Sequence, residues 1–136
     1  MEQPTVLVIE DSSYLADSLV DMLEMHGYRA IHCPTGKEGV ATALTEEPDL
    51  ILLDIRLPDI SGYEVYRQVR ETDWGLHANI MVLTASESIE NIAKNIDLPR
   101  QDVLFKPDWS MKELADIIAK KIATPTTPPP QMESVQ

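Results

Sequence analysis

The run Leu50-Ile51-Leu52-Leu53, followed at once by Asp54, constrains the fold of this chain more than any other stretch. Four consecutive large apolar residues without polar alternation are typical of a strand covered on both faces, like a central strand of a parallel sheet. Open α/β sheets bind their ligands beyond the carboxyl ends of such strands, which is where Asp54 would lie. Asp is also a common turn residue, so Asp54 gains meaning only if other polar groups converge on it.

The rest of the chain repeats a strand-then-helix pattern. Besides residues 50–53, short apolar strands are expected at 5–9, 29–33, 79–84 and 102–105. Apolar residues at helical spacing predict helices at 14–26, 36–45, 63 to about 74, 88–95 and 111–123. In the second helix Val40, Ala41 and Leu44 are expected to face the core, and Ser110 is expected to cap the last helix. Five strands alternating with five helices predict an α/β fold with a doubly wound parallel sheet, because right-handed crossovers connect parallel neighbours.

The length and proline content predict how the chain is divided. The 136 residues suffice for one domain with one core, expected over residues 1–123. Residues 124–136 hold four of the ten prolines and no apolar periodicity. They are therefore expected to form an extended, flexible tail or linker.

Charge and cysteine content argue against several classes of protein. The net charge of −12 repels a nucleic-acid backbone, so direct binding to nucleic acid is not expected. No apolar stretch approaches the roughly 20 residues that span a bilayer, and the N-terminus lacks a secretory signal pattern. We therefore expect no membrane insertion and a cytoplasmic location. Cys33 is the only cysteine, which rules out an intramolecular disulfide, and it is expected to fill the core.

Polar residues follow four of the predicted strands at their carboxyl ends: Glu10 with Asp11, then Asp54, Thr84 and Lys106. With the first and third strands as neighbours, three carboxylates would meet, and such crowding raises at least one pKa unless a cation intervenes. All-oxygen ligation suits Mg²⁺, while an ammonium and a hydroxyl suit phosphoryl oxygens. A carboxylate beside Mg²⁺ and a lysine predicts a phosphoryl acceptor, with Asp54 attacking in line.

Each of these residues also has a purely structural interpretation. Asp11 can cap the first helix, and Glu10 can complement the dipole of that helix. Thr84 is an ordinary strand residue, and Lys106 can be a solvated lysine before a turn proline. Their joint occurrence favours a functional site over these separate explanations.

The motifs together resemble the receiver domain of two-component response regulators, of the chemotaxis-regulator-like type, over residues 5–123. That family carries an acidic pair after strand one, Asp after strand three, Thr or Ser after strand four, and Lys-Pro after strand five. The resemblance implies a flavodoxin-like sheet with strand order 2-1-3-4-5. It also implies Mg²⁺ bound directly by Asp11 and Asp54, by the carbonyl of Arg56, and by Glu10 through water.

The same resemblance implies how the site would signal. Asp54 would be the phosphoacceptor, Thr84 and Lys106 would hold the phosphoryl group, and the Lys106–Pro107 bond would be cis. Lys106 is expected to contact only the phosphoryl group and not the metal ligands. The partners would be a histidine kinase or histidine phosphotransfer protein and a downstream effector protein, so the chain is expected to be a signalling domain and not a turnover enzyme.

The chain departs from the family pattern near the fifth strand. Val103 stands where the family carries an aromatic residue, Leu98-Pro99-Arg100 replaces the usual Gly-Ala, and Asp108 follows Lys-Pro in place of an aromatic residue. The output face is therefore expected to differ. A phosphate sink without output and a receiver at the start of a longer effector protein remain open. A degenerate receiver that only binds partners is disfavoured by the intact acidic set and Lys106.

Two other classes share parts of the pattern. A phosphatase of the haloacid-dehalogenase type also uses a nucleophilic Asp with Mg²⁺, but it needs a second acid two residues on, where this chain has Arg56. A flavodoxin has the same sheet topology, but it needs a phosphate-binding loop after strand one. There Glu10 and Asp11 would repel a phosphate.

Overall fold

The protein folds into one five-stranded parallel sheet with helices on both faces, and the computed structural model describes residues 3–85 and 88–123. The strands are β1 Thr5–Ile9, β2 Arg29–Cys33, β3 Leu50–Leu53, β4 Ile80–Thr84 and β5 Val103–Phe105, in the order β2-β1-β3-β4-β5. The helices are α1 Ser13–Met25, α2 Gly36–Glu46, α3 Gly62–Arg70, α4 Ile89–Asn95 and α5 Met111–Ala123. The predicted fold class and strand order are confirmed.

The sequence predicted a C-terminal tail and no membrane insertion. The tail predicted at residues 124–136 lies outside the described residues. Within the described ranges, no helix has both the length and the apolar character that a membrane crossing requires.

The central strand β3 is buried at all four positions because the sheet separates two hydrophobic cores, so the expectation of a single core is wrong. Ile51 and Leu53 point into the core shared with α2, α3 and α4. Leu50 and Leu52 point the other way, into the core shared with α1 and α5. The uninterrupted apolar run thus reflects a strand with helices on both sides.

Four helices begin at a hydroxyl side chain that accepts a backbone N–H three residues on. Ser12, Thr35 and Ser61 cap α1, α2 and α3 in this way. Ser110 Oγ accepts from Glu113 N at 3.1 Å, and Glu113 Oε1 accepts from Ser110 N at 2.9 Å, which makes a reciprocal capping box. The prediction that Ser110 caps the last helix is confirmed.

The predicted core face of α2 is wrong at two positions. Ala41 and Leu44 are exposed, and only Val40 of the three expected residues is buried. The helix instead packs through its smallest residues: a Cβ on Gly39 would lie 2.5 Å from Ile9 Cδ1. The buried face comprises Gly36, Gly39, Val40 and Ala43.

Helix α3 ends earlier than the expected position near Trp74. After Arg70 the chain folds back, and the Arg70 guanidinium donates to the carbonyl oxygens of Gly75 and Ala78 at 2.8 and 2.7 Å. Thr72 Oγ1 accepts from Gly75 N at 2.9 Å, which holds the short 3-10 helix Gly75–His77 against the end of α3. These side-chain bonds satisfy backbone groups that a longer helix would have paired internally.

Cys33 lies at the end of β2, buried as expected for a core-filling cysteine. Its thiol donates to Thr42 Oγ1 at 3.3 Å. Burial is the largest influence on the Cys33 thiol and raises its pKa, so the reactive thiolate is disfavoured.

Candidate functional site

Three carboxylates meet at the carboxyl edge of the sheet. Glu10 and Asp11 follow β1, Asp54 follows β3, and the two strands pair with Ile9 opposite Leu53. One oxygen from each of the three carboxylates lies within 4.8 Å of the other two. Glu10 and Asp54 are buried, at 3% and 6% exposure, while Asp11 is exposed. The convergence expected from the strand order is therefore present.

Lys106 places its ammonium between two of these carboxylates. Its Nζ lies 2.7 Å from Glu10 Oε1 and 3.3 Å from Asp54 Oδ2. The expectation that the lysine contacts only a phosphoryl group is therefore wrong. Two buried carboxylates require a nearby cation, and the ammonium at the end of β5 supplies one.

The surroundings of the Glu10 carboxyl shift its pKa upward. Burial raises its pKa above the ordinary value and the nearby Asp54 carboxylate adds to the rise, while hydrogen bonds from Lys106 and from Ser12 N–H oppose it. Ser12 N donates to Glu10 Oε2 at 3.0 Å. His32 Nε2 donates to the Glu10 carbonyl oxygen at 2.6 Å, so the main chain of this residue is also held.

Asp54 is held by its own main chain and by the loop that follows it. Asp54 N donates to the Ile9 carbonyl at 3.0 Å, and Asp54 Oδ1 accepts from Arg56 N at 3.3 Å. A Cβ on Gly62 would lie 2.4 Å from the Asp54 carbonyl oxygen, so only glycine lets α3 start this close. Arg56 thus lies beside Asp54, and the metal-binding role of its carbonyl stays a prediction.

Thr84 ends β4 and is fully buried. It pairs with Phe105, the residue before Lys106. Val103 is buried opposite Val82, and both Val103 and the half-buried Phe105 belong to the core under α3 and α4. The position where the family carries an aromatic residue is therefore part of the packed core.

The expected cis bond between Lys106 and Pro107 is wrong, since residues 3–85 and 88–123 contain no cis peptide. Lys106–Asp108 form a single 3-10 turn with Pro107 in its first positions. Trp109 N donates to the Lys106 carbonyl at 3.2 Å and closes the turn. Proline is tolerated there because its missing N–H would have had no partner in a first turn.

Asp59 is a structural residue of this region that the sequence did not reveal. Its two carboxylate oxygens accept from Gly36 N at 2.8 Å and from Lys37 N at 2.9 Å, at the start of α2. An Asp after Pro58 is an ordinary turn signal. Nothing local shows that its carboxylate reaches a helix that begins more than twenty residues earlier.

Comparison with known proteins identifies the family. The model of the response regulator receiver domain matches residues 6–119. The chain therefore belongs to the receiver domain family of response regulators, and the phosphatase and flavodoxin alternatives are set aside.

Similar proteins include transcriptional regulators and isolated receiver domains. The uncharacterized transcriptional regulatory protein YkoG of Bacillus subtilis is 36% identical over 114 residues, which are 84% of this chain and 49% of YkoG. RpaA of Synechocystis, described as a DNA-binding dual master transcriptional regulator, is 33% identical over 76% of this chain and 43% of RpaA. The chain spans less than half the length of these curated relatives.

A solved structure carries the metal that the carboxylate cluster predicts. The receiver domain of sensor histidine kinase PA1611 from Pseudomonas aeruginosa PAO1 has a magnesium ion coordinated in its active-site cleft. It matches with a TM-score of 0.79 and 28% identity, over 90% of this chain and all of that one.

Proposed function

We propose that Asp54 accepts a phosphoryl group from a phosphohistidine on a histidine kinase or histidine phosphotransfer protein. The observation that carries this proposal is the buried Asp54 carboxylate, which lies against Glu10, Asp11 and the ammonium of Lys106. An Asp54 oxygen forms the new O–P bond while the P–N bond of the donor breaks. The domain works by being phosphorylated and dephosphorylated, as a signalling element and not a turnover enzyme.

The donor set fits a hard divalent cation. Three carboxylates within 4.8 Å carry more negative charge than one ammonium balances, and oxygen ligands with room for water suit Mg²⁺. Glu10, Asp11, Asp54 and the Arg56 carbonyl would hold the ion. Bound there, Mg²⁺ would neutralise charge on the transferring phosphoryl group. Lys106 and Thr84 would bind the remaining phosphoryl oxygens.

Intact-mass measurement of the protein with a small acyl phosphate tests this proposal. We expect the mass to rise by one phosphoryl group in the presence of Mg²⁺ and to stay unchanged when the ion is chelated. Equal labelling under both conditions would overturn the metal-assisted mechanism. No labelling by either an acyl phosphate or a phosphohistidine donor would overturn the receiver function.

Lys106→Ala should slow phosphorylation by about 10²-fold, the lower end of what removing one donor to a transition-state anion costs. Mg²⁺ affinity should be retained or increased, because the ammonium that competes for Glu10 and Asp54 is gone. Labelling rates and calorimetric Mg²⁺ titration measure the two effects. Lys112→Ala is the matched control, since it removes the same charge from an exposed position of α5. A collapse of Mg²⁺ affinity in Lys106→Ala would show that the lysine supports the metal site.

The downstream effector is proposed to be a further domain of a longer protein. The observation in favour is that this chain covers only 43–49% of regulators such as RpaA and YkoG. Binding of DNA by such a protein would reside outside the receiver, whose net charge of −12 opposes it.

Amide chemical shifts on adding beryllofluoride with Mg²⁺ distinguish an output domain from a phosphate sink. We expect shifts that reach α4 and β5. A bound phosphoryl mimic should pull the Thr84 side chain toward it and so shift the equilibrium between two conformations of this surface. The coupling should not run through a side-chain rotation at Val103, since branching confines its χ1 and the residue is fully packed. Shifts confined to residues that touch the ligand would favour the phosphate sink.

A further inference from the structure

The loop between Asp54 and α3, residues 55–61, is bound at its far end to the start of α2, the helix that packs beside α3 in the same core. At its base Gly62 N donates to the Ile55 carbonyl at 2.8 Å. Near its tip the Asp59 carboxylate binds two backbone N–H groups of α2. The loop is thus held at two points, and Arg56 lies between them.

The two hydrogen bonds from Gly36 N and Lys37 N to the Asp59 carboxylate, called the tie below, are charge-assisted. The first N–H groups of a helix lack partners within the helix and carry the positive end of its dipole, so they favour a carboxylate. Partial desolvation of Asp59 raises its pKa, but hydrogen bonds from the N–H groups of Lys37, Ile60, Gly36 and Asp59 itself outweigh this and lower the pKa to about 2. Asp59 is therefore ionised at neutral pH, and the tie is fully formed there.

Beside the two hydrogen bonds that Asp59 accepts, the loop also packs closely against the start of α2. A Cβ on Gly36 would lie 2.6 Å from Ile60 Cγ1 and 3.1 Å from the Ile60 carbonyl oxygen. The loop therefore rests directly on the backbone of α2 next to the two hydrogen bonds. Contact and charge together keep the loop in one position relative to the sheet.

We propose that Asp59 is a positioning residue for the metal side of the phosphorylation site. Its carboxylate does not reach the cluster; it acts by holding the loop that presents the Arg56 backbone beside Asp54. This inference rests on the proposed function, because it assigns Asp59 a part in Mg²⁺ binding by that same site. Without the tie, the loop samples more conformations and the Arg56 carbonyl is less often in place.

Asp59→Ala tests this role through calorimetric Mg²⁺ titration. We expect the dissociation constant for Mg²⁺ to rise about 3- to 10-fold, less than the roughly 10–100-fold typical when a group bonded directly to a metal ligand is removed. Asp59→Asn keeps one acceptor oxygen and should recover part of the affinity. In the metal-free protein the amide shifts of residues 55–57 should move in Asp59→Ala.

Thr35→Ala is the matched control. It removes the Thr35 Oγ1 bond to Glu38 N at 3.2 Å and so weakens the same helix end without touching the tie. We expect its Mg²⁺ affinity and its loop shifts to match the wild type.

Four outcomes would overturn the inference. Unchanged Mg²⁺ affinity in Asp59→Ala, or an equal loss in Thr35→Ala, would show that Asp59 serves only the stability of α2. Should Asp59→Ala fail to fold, full wild-type affinity together with unmoved loop shifts in Asp59→Asn would be equally decisive. If the wild type itself binds no Mg²⁺, the proposed metal-assisted function fails as well, which separates that result from the other three.

Discussion

Asp54→Asn should reduce phosphorylation to below detection while leaving the fold intact. The amide has the shape of the carboxylate but lacks the nucleophilic oxygen that would form the proposed acyl phosphate. Asp54 is buried and its carboxylate accepts from Lys106 and from Arg56 N, so a substitution of equal size causes little repacking. Intact-mass measurement with Mg²⁺ and an acyl phosphate gives the result directly.

Asp108→Asn provides the matched control for this experiment. It makes the same chemical change at an exposed acid two residues after Lys106, and it should label as the wild type does. Undiminished labelling in Asp54→Asn would move the acceptor to another side chain. Asp11 would then be the next candidate, since its carboxylate is the exposed member of the cluster.

Much of the fold could be predicted because its determinants are local in sequence. The four apolar residues of β3 predict a strand covered on both faces. The hydroxyl residues that begin four helices accept hydrogen bonds from backbone N–H groups only three positions away. The inward face of α2 could not be predicted in this way. Helical spacing favoured Leu44, but the closeness of Gly39 to Ile9 decides which side packs, and that distance is a tertiary property.

In the candidate site, too, some features could be predicted from the sequence and others could not. The meeting of Glu10, Asp11 and Asp54 follows from strand order alone, because the carboxyl ends of neighbouring parallel strands share one edge. The partners of Lys106 and Asp59 depend on the direction of a long side chain and on the path of a loop. No local pattern encodes either, so the ion pair with Glu10 and the tie to α2 appeared only in the structure.

A further, largely buried ion pair lies at the amino ends of the strands, opposite the carboxylate cluster. Lys121 Nζ on α5 lies 2.7 Å from Asp102 Oδ2, and the two side chains are only 22% and 7% exposed. Asn79 Nδ2 donates to the carbonyl of Lys121 at 3.5 Å and to that of Asp49 at 3.4 Å. These bonds fasten the last turn of α5 to the starts of β4 and β5.

Lys121→Met should lower the free energy of unfolding by about 3 kcal/mol, the lower end of the roughly 3–5 kcal/mol that breaking a buried pair costs. Methionine keeps the apolar stem, so the loss comes from leaving the Asp102 carboxylate buried without its cation. Urea unfolding measures the change. Adding Asp102→Asn should restore part of the stability, because the buried carboxylate charge without a partner is then removed.

Arg29→Met is the control: it breaks an exposed pair with Glu46 and should lower the free energy of unfolding by at most about 1 kcal/mol. Equal costs for Lys121→Met and Arg29→Met would show that burial gives the Asp102 pair no special weight.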